Sequence, residues 1–278
     1  MKDKVLSATS LKCFLCGSRE AQLITTVDKK PERENNFGIV PEVYQRSIYQ
    51  CSHCSVYFNR HHYIEEDFYK GHYNQAVYDR KLLEKYSQIM NLPEEQSDNR
   101  QRVKRIHAFL KGQGWNPPTV KVLDVGSGLC VFLGVLKELG YRCYCLDPDL
   151  DAVQHALNHV QVEGAYQVGI ESFRTPERFD LITFNKVLEH VQDPVSILSK
   201  TRELLTGRGV VYLELPDGEN ALKNGGAIER EEFYIEHFTI FDLPSLRFLA
   251  AKSGFRELLV GSLHEPSDKY TLYGFLKP

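Results

Sequence analysis

The sequence predicts an α/β protein with a doubly wound, mostly parallel sheet of seven strands, preceded by a small cysteine-bearing module. Three observations predict this architecture. From residue 120 onward, apolar runs of strand length alternate with helical segments, as is typical of parallel sheets. The first of these runs leads into a glycine-rich turn. Near the N-terminus, two Cys-x-x-Cys pairs flank two strand-like segments.

The chain is organised around one strand, turn and helix. The strand of residues 120–125 is apolar except for Lys121 and Asp124, and it runs into the turn Gly126-Ser127-Gly128. Glycines let the backbone pass close to a ligand, and the helix N-terminus offers free N–H groups to it. The turn therefore predicts a cofactor site. A nicotinamide dinucleotide is one alternative, although Val131 stands where its fingerprint has a third glycine or alanine, and a plain strand–helix turn is another.

Asp124 and the glycines after it resemble motif I of the class I S-adenosylmethionine (SAM) methyltransferases, D/E-x-G-x-G-x-G. This resemblance implies a SAM site in which Asp124 helps to hold the methionine end of the cofactor through the turn. Gly126, Ser127 and Gly128 would then make room for the cofactor. The sequence departs from the motif at Cys130, which stands in place of the last glycine, so we expect a slightly different turn there.

Bulk composition limits the possible classes of protein. The chain has 278 residues, of which 42% are hydrophobic and 26% charged, which is ordinary for a globular protein. A net charge of −3 and a pI near 6.4 give no electrostatic attraction to nucleic acid or anionic membranes. We find neither a signal-peptide core nor an apolar run of about 20 residues, so a cytoplasmic protein is predicted. The seven cysteines are therefore interpreted as metal ligands and buried thiols.

Residues 1–60 are predicted to form a metal-binding module. Two Cys-x-x-Cys knuckles supply four thiolates, which complete a closed structural zinc site. The expected ligands are Cys13, Cys16, Cys51 and Cys54. Strands are predicted at 23–27 and 44–49, as in a zinc ribbon, with a long loop between them. A redox role fits less well because neither pair lies in a β–α–β pattern, and His53 is interpreted as a surface residue.

Residues 61–116 are predicted to form a helical linker or lid. Helical spacing recurs in this stretch at Phe68, His72 and Gln75, and again at Tyr78, Leu82 and Tyr86. A further helix is predicted from about Asp98, which suits an N-cap, to Gly112. The many tyrosines are expected to pack the helices against the main domain, although one or two could line a substrate entrance.

The main domain is predicted to span residues 117–278 and to alternate strands with helices. Its last two strands, at 256–261 and 269–276, have no helix between them. They are expected to form an antiparallel hairpin at the sheet edge, the ending seen in class I methyltransferases. The parallel strands are predicted at 120–125, 142–146, 165–168, 180–184 and 209–215. The helices are predicted at 130–139, 149–160, 194–204 and 242–253.

Asp147 ends the second strand of the main domain, with Pro148 directly after it. A carboxylate at this place accepts hydrogen bonds from the hydroxyls of an adenosine ribose in dinucleotide and SAM sites alike. Its alternative role is to cap the next helix, which Asp149 can do instead. The adenine is expected to lie against the segment after the third strand, where Ile170 offers an apolar wall. The residue that meets the adenine amino group stays open.

Residues 179–194 resemble the FD-x-I-x-x-x-x-VLEH-V-x-D-P stretch of many small-molecule methyltransferases. The stretch begins at the carboxyl end of the fourth strand, where open α/β sheets bind their ligands. Asn185 and Lys186 are expected to border the methionine moiety of SAM. Glu189 and His190 are interpreted as residues that fix the structure of the loop.

Residues 233–241 follow the fifth strand and a glycine-bearing loop, so they are expected to lie over the cofactor. With the cysteine knuckles, their Tyr234-x-Glu236-His237 pattern is similar to that of the sugar C-methyltransferases that act on nucleotide-linked ketosugars. The resemblance covers nearly the whole chain and implies that His237, supported by Tyr234 and Glu236, is catalytic. Those enzymes continue into a further C-terminal domain, whereas this sequence stops at Pro278. A similar histidine also occurs in shorter methyltransferases with other substrates, so the acceptor stays open.

The chemistry of methyl transfer gives His237 a role independently of this resemblance. A methyl acceptor must lose a proton as the methyl group arrives, and imidazole has a pKa near operating pH. A neighbouring carboxylate can orient the ring and stabilise the imidazolium. The alternative is a histidine whose hydrogen bonds are satisfied by the loop backbone.

The sequence therefore predicts a SAM-dependent methyltransferase with a structural Zn²⁺ ion and without a catalytic metal. Its acceptor is expected to be a small polar metabolite, with an activated or nucleotide-linked sugar as the leading hypothesis. Neither the oligomeric state nor the pathway follows from the sequence. One rival hypothesis is an RNA methyltransferase that grips its substrate with the zinc module, which the acidic pI disfavours. The other is an interaction protein that binds SAM without turnover, which the presence of Asp124, Asp147 and His237 disfavours.

Overall fold

A computed structural model describes residues 11–35, 37–63, 82–224 and 228–278 of the chain. Part of the predicted helical spacing lies outside these ranges, namely Phe68, His72 and Gln75 and the first residue of the second set, Tyr78. The strands are Ala21–Val27 (β1), Arg46–Cys51 (β2), Tyr57–Arg60 (β3), Lys121–Val125 (β4), Arg142–Asp147 (β5), Gly164–Gln167 (β6), Phe179–Asn185 (β7), Leu205–Pro216 (β8), Thr239–Ile240 (β9), Arg256–His264 (β10) and Tyr270–Lys277 (β11).

Seven α-helices lie in the described part of the chain. They are Leu82–Met90 (α1), Asp98–Gly112 (α2), Val131–Glu138 (α3), Leu150–His155 (α4), Pro194–Lys200 (α5), Gly218–Asn224 (α6) and Leu243–Lys252 (α7). None of them combines the length and the apolar character that crossing a bilayer requires.

Strands β4 to β8 and the hairpin β10–β11 form one sheet of seven strands, in the order β10-β11-β8-β7-β4-β5-β6. The strands from β8 to β6 run parallel, and β11 and β10 add to the edge in antiparallel fashion. This confirms the predicted doubly wound, mostly parallel sheet of seven strands. Because β5 and β7 lie on opposite sides of β4, a crevice is expected at the carboxyl ends of β4 and β7.

Both faces of the central strands of this sheet are buried, which explains their near-continuous apolar runs. Leu123 and Ile182 belong to the core on one face, and Val122 and Leu181 belong to the core on the other. Successive residues of a strand point to opposite faces, so both members of each pair are covered. The sheet is therefore a rigid support for the loops at its carboxyl edge.

A second, antiparallel sheet has the order β1-β2-β3-β9. The sequence analysis predicts no strand at Tyr57–Arg60, yet β3 pairs there with β2 on one side and with β9 of the main domain on the other. Phe58 on β3 is fully buried by this arrangement. Strands β3 and β9 are far apart in the chain, and pairing between such distant segments leaves no local periodicity in the sequence. This explains why neither strand is predicted.

Three helical segments differ from the predicted ones. The helix predicted at 149–160 is α-helical only as far as His155 and continues as a π-helical turn. The helix predicted at 194–204 ends at Lys200 and continues in a 3-10 turn. Helix α6 lies where a glycine-bearing loop is predicted. Asp217 caps this helix, because its Oδ1 accepts a hydrogen bond from the Asn220 N–H at 3.1 Å.

A buried ion cluster fastens α2 to the main sheet. The Glu214 carboxylate on β8 accepts hydrogen bonds from Arg102 Nε at 2.7 Å, from Arg105 Nη2 at 2.6 Å and from the Tyr212 hydroxyl at 2.5 Å. Burial alone would raise the pKa of Glu214, but the two guanidinium charges outweigh burial and lower this pKa to about 2. Glu214 is therefore ionised at neutral pH and holds both arginines in place.

We predict that Glu214→Leu lowers the free energy of unfolding by about 3–5 kcal/mol at pH 7, because it leaves one buried and one half-buried cation without their carboxylate. Chemical denaturation measures this loss. The lowered pKa gives the wild type stability that is fully present above the ordinary glutamate value of 4.5 and is lost as the pH falls toward 2. The difference between wild type and variant should therefore shrink over that range.

The matched control is Glu257→Leu, which removes the carboxylate of an exposed pair with Arg247. An exposed pair contributes little, so this variant should lose less than about 1 kcal/mol. Equal losses in the two variants would contradict the role given to the buried cluster.

Candidate active site

The glycine turn after β4 has the geometry that close approach of a ligand requires. Gly126 and Gly128 have φ angles of 69° and 48°, in the region that favours glycine. A Cβ atom at Gly126 would lie 2.8 Å from Cγ2 of Val187, which belongs to the loop after β7. The Ser127 hydroxyl donates to the Asp124 carbonyl oxygen at 2.7 Å. The turn is therefore held against the loop after β7, and a larger residue at Gly126 would displace that loop.

Cys130 shows how the turn accommodates the missing glycine of motif I. Its φ angle is 55°, in the left-handed region that residues other than glycine seldom adopt. The residue is buried at the N-terminus of α3, and its N–H donates to the Ser127 carbonyl oxygen at 2.8 Å. Cys130 therefore adopts the backbone conformation of a glycine, at the cost of the backbone strain that its side chain causes there.

Asp124 joins the ends of β4 and β7. Its Oδ1 accepts hydrogen bonds from the Thr183 hydroxyl at 2.6 Å and from Asn185 Nδ2 at 2.8 Å. The side chain is almost fully buried, and burial raises its pKa to about 7 even though these donors act in the opposite direction. The predicted pair of Asp124 and Asn185 is thus brought into direct contact.

Asn185 presents an acceptor that no described residue uses. Because a carboxylate oxygen only accepts hydrogen bonds, the contact with Asp124 fixes Nδ2 toward it and leaves Oδ1 on the other side of the amide. Asn185 Oδ1 is buried and has no hydrogen-bond partner among the described residues. A buried acceptor in this state favours a ligand that carries a donor, such as an ammonium group.

Asp147 holds the glycine turn from the side of β5. Its Oδ2 accepts from the Gly128 N–H at 2.9 Å and its Oδ1 from the Asp149 N–H at 2.9 Å. The cap of helix α4 is Asp149, whose Oδ1 accepts from the Asp151 N–H at 3.0 Å. Asp147 is thus not the cap of that helix, and it lies at the turn where a cofactor ribose is expected. Burial raises its pKa.

The other predicted cofactor residues lie in different surroundings. Ile170 is buried in the core of the main domain, whereas Pro148 is exposed beside Asp147. Lys186 has a φ angle of 61°, and its Nζ donates to the Thr271 hydroxyl on β11 at 2.5 Å. The Lys186 side chain therefore reaches toward the final hairpin, while the neighbouring Asn185 reaches Asp124.

His237 lies against the loop that follows β7. Its Nδ1 is 2.9 Å from the Glu232 carbonyl oxygen, which can only accept, so Nδ1–H is the donor and Nε2 carries the lone pair of the neutral ring. The His237 and His190 rings meet edge to face with centroids 4.7 Å apart. Burial lowers the pKa of His237 well below its ordinary value, and His190, Lys186 and Lys269 act in the same direction. The imidazole is therefore neutral at pH 7.

Glu189 completes a compact group with the two histidines. One donor atom each from Glu189, His190 and His237 lies within 4.8 Å of the others. The Glu189 side chain is fully buried, and neither carboxylate oxygen has a hydrogen-bond partner among the described residues. The Phe238 N–H donates to the Glu189 carbonyl oxygen at 2.8 Å and joins the two segments. Sequence reasoning assigns Glu189 only a structural part in the loop.

Tyr234 and Glu236 flank His237 in sequence but make no hydrogen bond to its ring. The carbonyl oxygens of Tyr234 and His237 accept from Asn59 Nδ2 of β3 at 3.0 and 2.8 Å. Burial raises the pKa of Glu236 to about 8, and the charges that act on it include Glu34 and Arg46 of the N-terminal module. The ring is therefore oriented by the Glu232 carbonyl. Sequence reasoning missed Glu232, and it missed Asn59 because strand β3 was not predicted.

A polar cleft of about 300 Å³ opens beside Tyr234. Its walls come from the N-terminal module, from the segment before His237 and from the turn of the final hairpin. The Lys269 ammonium in this cleft is 3.0 Å from Glu231 and acts electrostatically on His237. The lining residues are Glu32, Arg33, Glu229, Arg230, Glu231, Tyr234, Ser267, Asp268 and Lys269. Such a lining suits a polar molecule better than an apolar one.

The four predicted cysteine ligands converge in the N-terminal module. Their sulfur atoms all lie within 4.8 Å of one another, with Cys13 Sγ 3.7 Å from Cys54 Sγ and Cys16 Sγ 3.4 Å from Cys51 Sγ. Zinc–sulfur bonds of about 2.3 Å in a tetrahedron place the sulfurs roughly 3.8 Å apart. The donor set and its spacing therefore fit a Zn²⁺ ion.

Comparison with known proteins finds relatives of the main domain. The family model described as a methyltransferase domain matches residues 93–259. The chain is 32% identical over 102 residues to the ubiquinone biosynthesis O-methyltransferase of Histophilus somni (strain 2336), covering 33% of this chain and 43% of that protein. It is 34% identical over 103 residues to the Xanthomonas campestris pv. campestris (strain B100) protein of the same name, covering 34% and 43%. The chain thus spans less than half the length of the curated relatives it matches.

Two solved structures with bound S-adenosylhomocysteine share the fold. The first is the 1,6-didemethyltoxoflavin-N1-methyltransferase of Burkholderia thailandensis, with a TM-score of 0.53 and 16% identity, covering 84% of this chain and 95% of that one. The second is the magnesium protoporphyrin IX methyltransferase of Synechocystis PCC 6803, with a TM-score of 0.51 and 17% identity, covering 72% and 95%. At these identities the likeness shows the fold alone.

We predict that Asp147→Ala weakens SAM binding by about 1.5–3 kcal/mol, because it removes a charge-assisted acceptor and the brace on Gly128. Isothermal titration with SAM measures the loss. Asp149→Ala is the matched control in the same loop: it removes a helix cap but should leave SAM affinity nearly unchanged. Unchanged SAM affinity in folded Asp147→Ala would remove Asp147 from the cofactor site.

Proposed function

The chain belongs to the family of methyltransferase domains, and on this premise we propose that it transfers a methyl group from SAM to a small polar acceptor, with His237 as the general base. The observation that carries the proposal is the buried contact between Asp124 and Asn185 at the glycine turn. It leaves a buried amide oxygen that the α-ammonium of SAM would satisfy. The loop that follows Asn185 contacts the segment of His237, where the Phe238 N–H donates to the Glu189 carbonyl oxygen.

The proposed cofactor residues surround the glycine turn from both sides. Asp147 would accept the ribose hydroxyls in addition to its two backbone donors, since each carboxylate oxygen has a second lone pair. Ile170 would supply an apolar wall for the adenine. The complete proposed set is Asp124, Gly126, Ser127, Gly128, Asp147, Pro148, Ile170, Asn185 and Lys186.

The proposed chemistry is an in-line displacement at the sulfonium of SAM, which supplies an electrophilic methyl group when bound. The residues around His237 hold the acceptor close to that methyl group and remove its proton. His237 suits this task because its Nδ1–H is fixed on the Glu232 carbonyl, so Nε2 is the basic atom. We keep Tyr234 as a further candidate for the catalytic group, because it lines the polar cleft. Glu236 is kept as a support for that segment.

The acceptor class follows from the polar cleft beside Tyr234. Charged and hydroxyl-bearing side chains line it, which favours an acceptor with several hydrogen-bonding groups. We propose an activated or nucleotide-linked sugar, methylated on carbon or oxygen, on the support of the cysteine knuckles and the Tyr234-x-Glu236-His237 stretch. The relatives named above act, by their names, in ubiquinone biosynthesis, and they lend no support to a sugar acceptor. Turnover assays against sugar nucleotides and quinone precursors distinguish the two classes.

We also propose that Cys13, Cys16, Cys51 and Cys54 hold one structural Zn²⁺ ion. The spacing of the four sulfurs supports this assignment. The ion would anchor the N-terminal sheet, whose Asn59 bonds to the backbone on both sides of Glu236. The metal would thereby keep the segment of His237 in place without taking part in the chemistry.

We predict one zinc ion per chain in the wild type and its loss in Cys51→Ser, because three thiolates and a hydroxyl hold zinc far less well than four thiolates. Elemental analysis of freshly purified protein gives the ratio. Cys143→Ser changes a buried thiol of the main sheet and should keep the ion. A wild-type protein purified without zinc would refute the site.

We predict that His237→Ala lowers kcat by roughly 10²–10⁴ while SAM affinity stays nearly intact, which is the usual range for the loss of a general base. The wild-type rate should fall as the pH drops through the lowered pKa of His237, below 6.5, because protonation blocks the base. This acid limb should disappear in the variant.

His107→Ala is the control for this experiment, since it removes a half-buried histidine that contacts Tyr141, the residue before β5, at the amino end of that strand. It should keep both kcat and the acid limb. Parallel losses of SAM affinity and kcat in His237→Ala would mark His237 as a structural residue, and full activity would direct attention to Tyr234.

A further inference from the structure

We propose that Glu189 is the positioning residue of the proposed base: its carboxylate stabilises the imidazolium that forms on His237 during methyl transfer. This inference rests on the proposed function and deepens it. The sequence pattern assigns the supporting carboxylate to Glu236. The geometry points instead to Glu189, which lies in the loop after β7, three residues beyond Lys186.

Distance supports Glu189 in this role. A carboxylate oxygen of Glu189 and a ring nitrogen of His237 lie within 4.8 Å of each other, and a ring nitrogen of His190 lies within 4.8 Å of both. The backbone holds this arrangement from two directions. The Phe238 N–H donates to the Glu189 carbonyl oxygen at 2.8 Å, and His190 Nδ1 lies 3.3 Å from the Glu236 carbonyl oxygen. The loop after β7 and the segment of His237 are therefore joined by two contacts on either side of Glu189 and His237.

The surroundings of Glu189 explain why a positive charge beside its carboxylate would be favourable. The side chain has no exposed surface, and both oxygens lack a hydrogen-bond partner among the described residues. Burying a carboxylate in this way is costly unless a positive charge comes close. Burial raises the pKa of Glu189 to about 7, which shows how strongly the site lacks that charge in the resting state. An imidazolium on His237 would supply it.

The fixed charges near the pair supply only part of this compensation, because burial still raises the pKa of Glu189 in their presence. Lys186 donates to Thr271, and Lys269 is paired with Glu231. Both lysines lower the pKa of Glu189 and that of His237, so they favour the ionised carboxylate and oppose the imidazolium. Glu214, on the β8 side, acts on Glu189 in the opposite direction and is itself neutralised by two arginines. Glu189 is thus the carboxylate that offsets the lysines when His237 takes a proton.

The step balances without any further reactant. The acceptor forms a bond to the methyl carbon, the carbon–sulfur bond breaks, and its electron pair stays on sulfur to give S-adenosylhomocysteine. The proton of the acceptor moves to Nε2 of His237. Glu189 takes no proton in this step. It lowers the energy of the ion pair that forms as the proton arrives.

The test compares Glu189→Gln with wild type in the full chain. Glutamine keeps the shape but removes the charge, so kcat should fall about 10–100-fold while SAM affinity and the acceptor KM stay within about twofold. The acid limb of the pH–rate profile should move to lower pH, because the imidazolium loses its partner. Glu189→Asp should recover part of the rate. A merely structural residue would not shift the limb.

The matched control is Glu265→Gln, which changes another buried carboxylate with no hydrogen-bond partner among the described residues. It should leave kcat and the acid limb unchanged. NMR titration of the ¹⁵N-labelled His237 ring provides a readout without an acceptor, and its midpoint should fall or leave the measurable range in Glu189→Gln. If wild type turns over no acceptor, the proposed function fails, while the titration still decides the contact between Glu189 and His237.

Two results would overturn the inference. One is Glu189→Gln with wild-type kcat and an unchanged His237 titration. The other is a second metal ion per chain that is absent from Glu189→Gln, which would make the three side chains metal ligands instead of a base and its partner. Elemental analysis of the same preparations distinguishes that case.

Discussion

The buried carboxylate of Asp124 is the constraint on which the rest of the site depends. A carboxylate at the end of a buried strand requires donors, and Thr183 and Asn185 provide them from the neighbouring strand. This requirement fixes the register between β4 and β7 at the carboxyl edge of the sheet. The direction of the loop after Asn185 is then set. In this direction Val187 packs against the glycine turn, and Glu189 lies close to His237. One polar contact thus positions both the cofactor turn and the proposed base.

Much of this could be predicted from the sequence, because its determinants are local. Parallel strands covered on both faces are apolar throughout, so each stands out between its amphipathic helices. A strand that ends in Asp124 and two glycines specifies its own turn, and Asp147 marks the end of the next strand in the same way. Even the departure at Cys130 leaves the turn intact, since a left-handed backbone is costly but not forbidden for cysteine.

The remainder of the site depends on contacts that sequence spacing does not encode. Tyr234, Glu236 and His237 are close along the chain, but neighbours in a non-helical segment point in different directions, so closeness in sequence does not make Glu236 the support of the His237 ring. The groups that surround the ring come from elsewhere, namely the Glu232 carbonyl and the loop of Glu189. A main-chain carbonyl leaves no signature in a sequence. A buried glutamate beside a histidine looks the same whether it fixes a loop or serves the chemistry.

The pairing of β3 with β9 has a consequence for how the molecule is assembled. Asn59 and His237 are 178 residues apart, and their contact belongs to the same junction as this strand pair. Synthesis proceeds at about 5–20 residues per second. The edge of β3 in the antiparallel sheet therefore stays unpaired until most of the main domain has been synthesised. Closing that edge and ordering the segment of His237 then become a single late event. The edge of β3 thus stays open until β9 has been made, and this open edge is the place where a stalled chain would aggregate.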